Sequence, residues 1–157
     1  TRSKNMVFRA FIITICFLNA CSNKPGTSVD GPKQRLNEYI SKSFAIRSGS
    51  DRSQLLEYLT GDAKRRLLAW SDEQFKQAFM DSKRQFVKLI WSEVKPASAN
   101  EMSITYELSY FDQGKGHDAM VTSKKLCNMT LEQGKWMIKD VRNIKELIEY
   151  RNEMSLP

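Results

Sequence analysis

Histidine is almost missing from this chain. His117 is the only one in 157 residues, beside three cysteines and four prolines. A Ser-His-Asp arrangement would have to use His117. That residue sits at the end of the glycine-rich stretch Gln113–His117, which reads as a hairpin loop and gives a general base no fixed setting. No Gly-x-Ser-x-Gly pattern is present. His, Cys and carboxylates do not recur at ligand spacing, so no metal and no cofactor are expected. Gly114-Lys115-Gly116 has the composition of a phosphate loop but not its spacing, and it leads into a strand, so it is a turn. Apolar runs are short as well. The longest, residues 10–18, covers nine positions where a bilayer needs about 20. The net charge of +7 is inflated at one end, since the first twenty residues hold Arg2, Lys4 and Arg9 and no acid. The remainder carries 22 Lys+Arg against 18 Asp+Glu. It has no dense basic block with interleaved aromatics, so nucleic acid is not an expected partner.

What is present begins at residue 1. A basic stretch leads into the apolar run 10–18, which has the size of the apolar segment of a secretory signal. Behind it stand Leu18-Asn19-Ala20-Cys21. This resembles the lipobox of bacterial lipoproteins, with an apolar residue three before the cysteine and a small one directly before it. The resemblance implies diacylglycerol on Cys21, cleavage after Ala20 and a membrane partner through that lipid. Ser22 follows the cysteine instead of Asp, which resembles lipoproteins sorted to the periplasmic face of the outer membrane in a Gram-negative cell. With Cys16 leaving in the signal and Cys21 lipidated, Cys127 alone remains. The folded domain therefore has no internal disulfide, and Cys127 reads as a buried, inert thiol. The expected organisation is a signal peptide at 1–20, a lipidated cysteine and Pro/Gly/Ser-rich tether at 21–31, and one domain at 32–157.

That domain starts helical. Leu36, Tyr39, Ile40 and Phe44 recur at spacings of three and four from Pro32 to Ile46, one apolar stripe. Asp51 caps a second helix bearing Leu55, Leu56 and Leu59. A third piece carries Ala63, Leu67, Leu68 and Trp70. Ser71-Asp72-Glu73-Gln74 is a capping box, predicting a helix with Phe75, Ala78 and Phe79 inward. Near Gln85 the period changes to two. Phe86–Val94 is β-rich, and Pro96–Asn100 reads as a turn. Met102–Tyr110 alternates apolar and polar residues over nine positions, so Ile104, Tyr106 and Leu108 face one way and Glu107 the other. Residues 118–132 form a long strand with imperfect parity near Lys124-Lys125, a bulge signal. Gln133-Gly134 turns into a strand over Lys135–Val141. Asn143 reads as the cap of a C-terminal helix with Ile144, Leu147 and Ile148 on one side.

The expected fold class is α+β: N-terminal helices packed on a four-stranded antiparallel meander, with a C-terminal helix. This order, with its late Trp136-Met137-Ile138 strand, resembles the NTF2-like (cystatin-like) cone-shaped domains. The resemblance implies a curved sheet around a helix and a cavity used for binding, for dimer contacts or, in some members, for catalysis. Trp91, Tyr106, Tyr110, Trp136 and Asp140 are the candidates for lining it. Asp140 shares parity with Trp136 and Ile138 and is the one carboxylate to consider as a pocket acid; otherwise it pairs at the strand end with Arg142, Lys139 or solvent. The main expectation is a non-catalytic, membrane-anchored lipoprotein of the envelope that takes a small apolar ligand or a protein partner. The alternatives are a small cone-fold enzyme using an acid in its pocket and a lipoprotein that forms homodimers.

Overall fold

The structure is a computed structural model that describes residues 30–151. The expected signal segment at 1–20, Cys21 and most of the expected tether lie outside the described residues. Helix α1 spans Asp30–Phe44. A single 3₁₀ turn, Gly49–Asp51, leads into α2, Arg52–Leu56. Helix α3 spans Gly61–Ala69 and α4 spans Asp72–Lys76, continued by a π turn over Gln77–Asp81. Four strands follow: β1 Gln85–Ser98, β2 Glu101–Phe111, β3 Ala119–Glu132 and β4 Lys135–Tyr150. They form one antiparallel sheet in the order β1-β2-β3-β4.

The helices cover one face of this sheet. On β2, Met102, Ile104, Tyr106, Leu108 and Tyr110 are buried, and the residues between them are partly open. The alternation read in the sequence is thus the alternation of the fold, and Glu107 lies on the wet side opposite Lys124. From the helices, Leu36, Ile40, Leu55, Leu67 and Phe75 join Val121, Cys127, Met129 and Ile138 in a single core. Ser71 caps α4 as its sequence predicts: its hydroxyl accepts from Gln74 N at 3.1 Å, and Gln74 Oε1 accepts from Ser71 N at 2.9 Å. The second helix is shorter than its apolar spacing suggests. Leu59 leaves it to make a parallel bridge with Ile138. Ile138 N donates to Tyr58 O, and Thr60 N donates to Ile138 O, both at 2.8 Å. Arg35 spans the same seam, donating to Trp136 O at 3.2 Å and Glu57 O at 2.8 Å.

The expected C-terminal helix is not there. Residues 143–150 continue β4, pairing with β3 from Lys125↔Asn143 to Ala119↔Tyr150. The cause is a bulge. Lys124 pairs with Lys145 and Lys125 with Asn143, so Ile144 is an extra residue in β4. One extra residue inserts an odd spacing into a period of two. Val141, Ile144 and Ile148 then fall three and four apart, which imitates a helical stripe. The bulge near Lys124-Lys125 therefore belongs to the facing strand. Across β2, β3 keeps an unbroken register, Tyr106↔Lys125 included, so Lys125 points to the packed side. A second shift, between Asn128↔Asp140 and Met129↔Ile138, breaks the parity that had placed Asp140 with Ile138. The first strand also runs on through Pro96, which an edge strand tolerates because one row of its N–H groups has no partner to lose.

Candidate functional site

The five aromatic and acidic candidates do not converge. Trp91 and Tyr106 pack on each other in the interior, ring centroids 6.0 Å apart. Burial pushes the Tyr106 hydroxyl well above the ordinary phenol range. Trp136 borders a shallow depression with Gly31, Gln34, Arg35 and Glu38. Asp140 borders another with Asp62, Ser103 and Asn128. It is held by Arg66 at 2.6 Å and Arg142 at 3.3 Å, so both carboxylate oxygens are engaged in ion pairs. Tyr110 alone opens onto a cavity of substantial size.

That cavity, about 700 Å³, lies between the α4–π segment and the β2–β3 loop. Trp70, Gln74, Gln77, Ala78, Asp81 and Ser82 form one wall, Tyr110, Asp112, Gly114 and Lys115 the other, with Arg84 between. Its shape is fixed by contacts across the mouth. Gly114 N donates to Ser82 O at 3.3 Å and to Asp112 Oδ1 at 3.0 Å. A Cβ on Gly114 would come within 3.1 Å of Asp112 Oδ1 and 3.2 Å of Ser82 Cα, so a side chain there would push the two segments apart by a few tenths of an ångström. Lys83, in the left-handed region at φ 41°, turns the chain sharply and delivers Arg84 to the floor.

Arg84 is the unusual residue. Its guanidinium lies 4.9 Å from the Phe79 ring centroid, 5.0 Å from Phe44 and 5.7 Å from Tyr110. One Nη donates to Ser43 O at 3.3 Å. Its Nε is buried without a hydrogen-bond partner among the described residues. Burial lowers its pKa, opposed by Tyr110 and Asp112, yet a guanidinium stays charged at any physiological pH. A second, smaller cavity bordered by Ser43, Phe44, Phe79 and Lys83 reaches Arg84 from the other side.

A polar chain flanks the large cavity. Lys115 Nζ donates to Glu146 Oε1 at 2.7 Å, and the Ser123 hydroxyl donates to Glu146 Oε2 at 3.2 Å. Lys115 raises no acid of its own here: its hydrogen bond holds Glu146 below the usual carboxylate range and is itself what lifts Lys115. Burial lowers Lys125, whose ammonium donates to Asn143 Oδ1 at 2.5 Å. Tyr110 is pushed up by burial, with Arg84 opposing, so its hydroxyl stays protonated at neutral pH and serves as a hydrogen-bonding group. Chemically the arrangement suits binding: a caged cation, a lysine held by a carboxylate, amides and aromatic walls. Sequence reasoning missed Arg84 and Lys115. Arg84 is one of 25 basic residues and lies between two periodic segments. Lys115 stood out only as part of a glycine turn. His117 lies on the loop surface, its Nδ1 2.8 Å from Asp118, away from the cavity walls.

No family model matches the chain, and no curated protein does. Among solved structures, a SEC-C motif containing protein from Rhodopseudomonas palustris is similar in fold, with a TM-score of 0.54 at 11% identity. The match covers 75% of this chain and 82% of that one. The epoxide hydrolase/cyclase-like enzyme SalBIII of salinomycin pyran-ring formation gives a TM-score of 0.45 at 14% identity, covering 75% and 92%. The first of these shows a likeness of fold alone.

Proposed function

We propose that this is a bacterial lipoprotein, held in the envelope through Cys21, whose NTF2-like cone binds a small, largely apolar molecule bearing a carboxylate and performs no reaction on it. In a Gram-negative cell its place is the periplasmic face of the outer membrane. The anchor rests on Leu18-Asn19-Ala20-Cys21 behind a short apolar run. Each buried methylene contributes about 0.8 kcal/mol, and two acyl chains give stable attachment.

The observation that carries the binding function is Arg84. A buried guanidinium N–H left without an acceptor costs about 1–3 kcal/mol, and three rings around the cation offset only part of that. A ligand carboxylate beside Arg84 would add a countercharge to the one that Asp112 supplies, while Trp70, Ala78 and Tyr110 take the apolar body. Asp140, the acid that a cone-fold enzyme would need, is committed to Arg66 and Arg142.

Two experiments test the two halves. Expressed in a bacterium with radiolabelled palmitate, the full chain should take up label and Cys21→Ser should not; label on the serine variant would refute the anchor. For the cavity, benzoate and phenylacetate should raise the unfolding temperature of the full chain, and neutral benzyl alcohol should not. Arg84→Met, verified as folded by its own cooperative transition, should lose the response. An equal response to benzyl alcohol, or an undiminished one in Arg84→Met, would overturn this reading of the cavity.

A further inference from the structure

The two edges of the sheet are built differently. At β1 the register with β2 breaks three times, at Phe86/Lys88, Trp91/Glu93 and Pro96/Ser98. Bulges and an edge proline are devices that blunt an edge against pairing with another chain. At β4 the first half is covered, because Tyr58, Leu59 and Thr60 pair with Ile138. The second half has no such cover among the described residues. From Lys145 to Tyr150, β4 follows β3 through six successive pairs without a bulge. Its outer backbone edge is straight, and Leu147 and Tyr150 are exposed beside it. A straight, uncovered edge with exposed apolar side chains is a template for strand addition.

The side chains of this edge specify the partner. Lys145, Leu147 and Glu149 alternate along one face, starting with a cation and ending with an anion. A two-fold axis through an antiparallel strand pair sets each residue i opposite the residue placed symmetrically about the axis. Centred on Leu147, it sets Lys145 against Glu149 of a second copy twice over, with Leu147 on Leu147. Opposite charges directly across a strand pair attract, and like charges there are destabilising. Centring on Lys145, Glu146 or Glu149 would oppose that charge to its own copy. Centring on Ile148 would oppose Lys145 to Arg151. Centring on Tyr150 would set Glu149 against Arg151, but it lies at the last residue of β4 and would leave most of the edge unpaired within the strand. Among registers centred from Lys145 to Glu149, the Leu147 register is the one that opposes opposite charges and no like ones.

We infer that β4 pairs with β4 of a second copy of this chain, antiparallel about Leu147, to give a continuous eight-stranded sheet. The inference is independent of the anchor and of the cavity ligand. Cysteine crosslinking of the full chain in expressing cells tests it. Under mild oxidation, Leu147→Cys should give a disulfide-linked dimer. Ile90→Cys, exposed on the blunted β1 edge, should give at least tenfold less, and so should the unsubstituted chain. In the Leu147→Cys background, Lys145→Glu should reduce the crosslink several-fold, and adding Glu149→Lys should restore it. Equal crosslinking at positions 90 and 147, none at 147, or indifference to the charge changes would overturn the inference. A crosslink formed to some other protein would do so too.

Discussion

Lys125 is the costly side chain on the inner face of β3. Its neighbours along that face are Ser123 and Cys127, both fully buried, and burial drives its pKa down. An ammonium held there destabilises the fold unless its partners compensate fully. Its partner Asn143 is exposed and can be satisfied by water. Lys125→Met keeps the length and removes the charge, so it should raise stability at neutral pH by up to about 1 kcal/mol, read from denaturant midpoints. Glu146 behaves in the opposite sense. Lys115 depresses its pKa, so its contribution is present above the unfolded carboxylate range and lost as pH falls through the lower folded value. Because this pair is largely exposed, the effect should be small. Between about pH 5 and pH 3, the wild type should lose more stability than Glu146→Gln, and equal losses would refute the linkage. The apolar positions give larger effects. Ile104→Ala and Leu108→Ala should each cost about 2–5 kcal/mol, against about 0.5 kcal/mol or less for Ser103→Ala. These inward residues were legible in the sequence because β2 has no bulge against β3. Lys125 was not, because a charged residue on an inward position looks like a break in the pattern.

At the scale of elements, sequence signals succeeded where one local rule acted alone. The capping box at Ser71 and the alternation of β2 are of that kind. They failed where two strands had to be read together. Asn143, Ile144, Leu147 and Ile148 have helical spacing, and only the register with β3 shows that Ile144 is an insertion. The cavity was illegible for a related reason, since Gln74, Ala78 and Tyr110 come from elements far apart in sequence and Arg84, Asp112 and Lys115 from the connections between elements. The β3–β4 turn allows a direct test of local chemistry. Gln133 at φ 50° and Gly134 at φ 76° both have positive φ, the signature of the tight turns that suit hairpin twist. Gly134 has no neighbour within 4 Å of an added Cβ, so Gly134→Ala isolates backbone strain from crowding. It should cost about 1 kcal/mol, while Gln133→Asn should stabilise by a few tenths. Thermal unfolding of both variants decides the matter, and a neutral Gly134→Ala would contradict the turn geometry.

At the scale of the molecule, the helices and sheet share one core, so a chain begun at residue 30 should unfold in a single cooperative transition. Coincident circular dichroism and fluorescence curves would establish that, and two separated transitions would mean that the helices and sheet are independent. The seam joining them also sets a timetable. Arg35 meets Trp136 across 101 residues of chain, and Tyr58 waits for Ile138. At synthesis rates of roughly 5–20 residues per second, α1 emerges several seconds before the strand it docks on exists. The four strands, by contrast, each pair with the one made just before, so the sheet can zip up hairpin by hairpin as it appears. Until β4 is complete, the leading half of the chain is a set of short, marginal helices with exposed Leu36, Ile40 and Leu55. If the first twenty residues are an export signal, as proposed, they would reach the export machinery ahead of any stable tertiary structure. Placing the closing strand last keeps the nascent protein threadable.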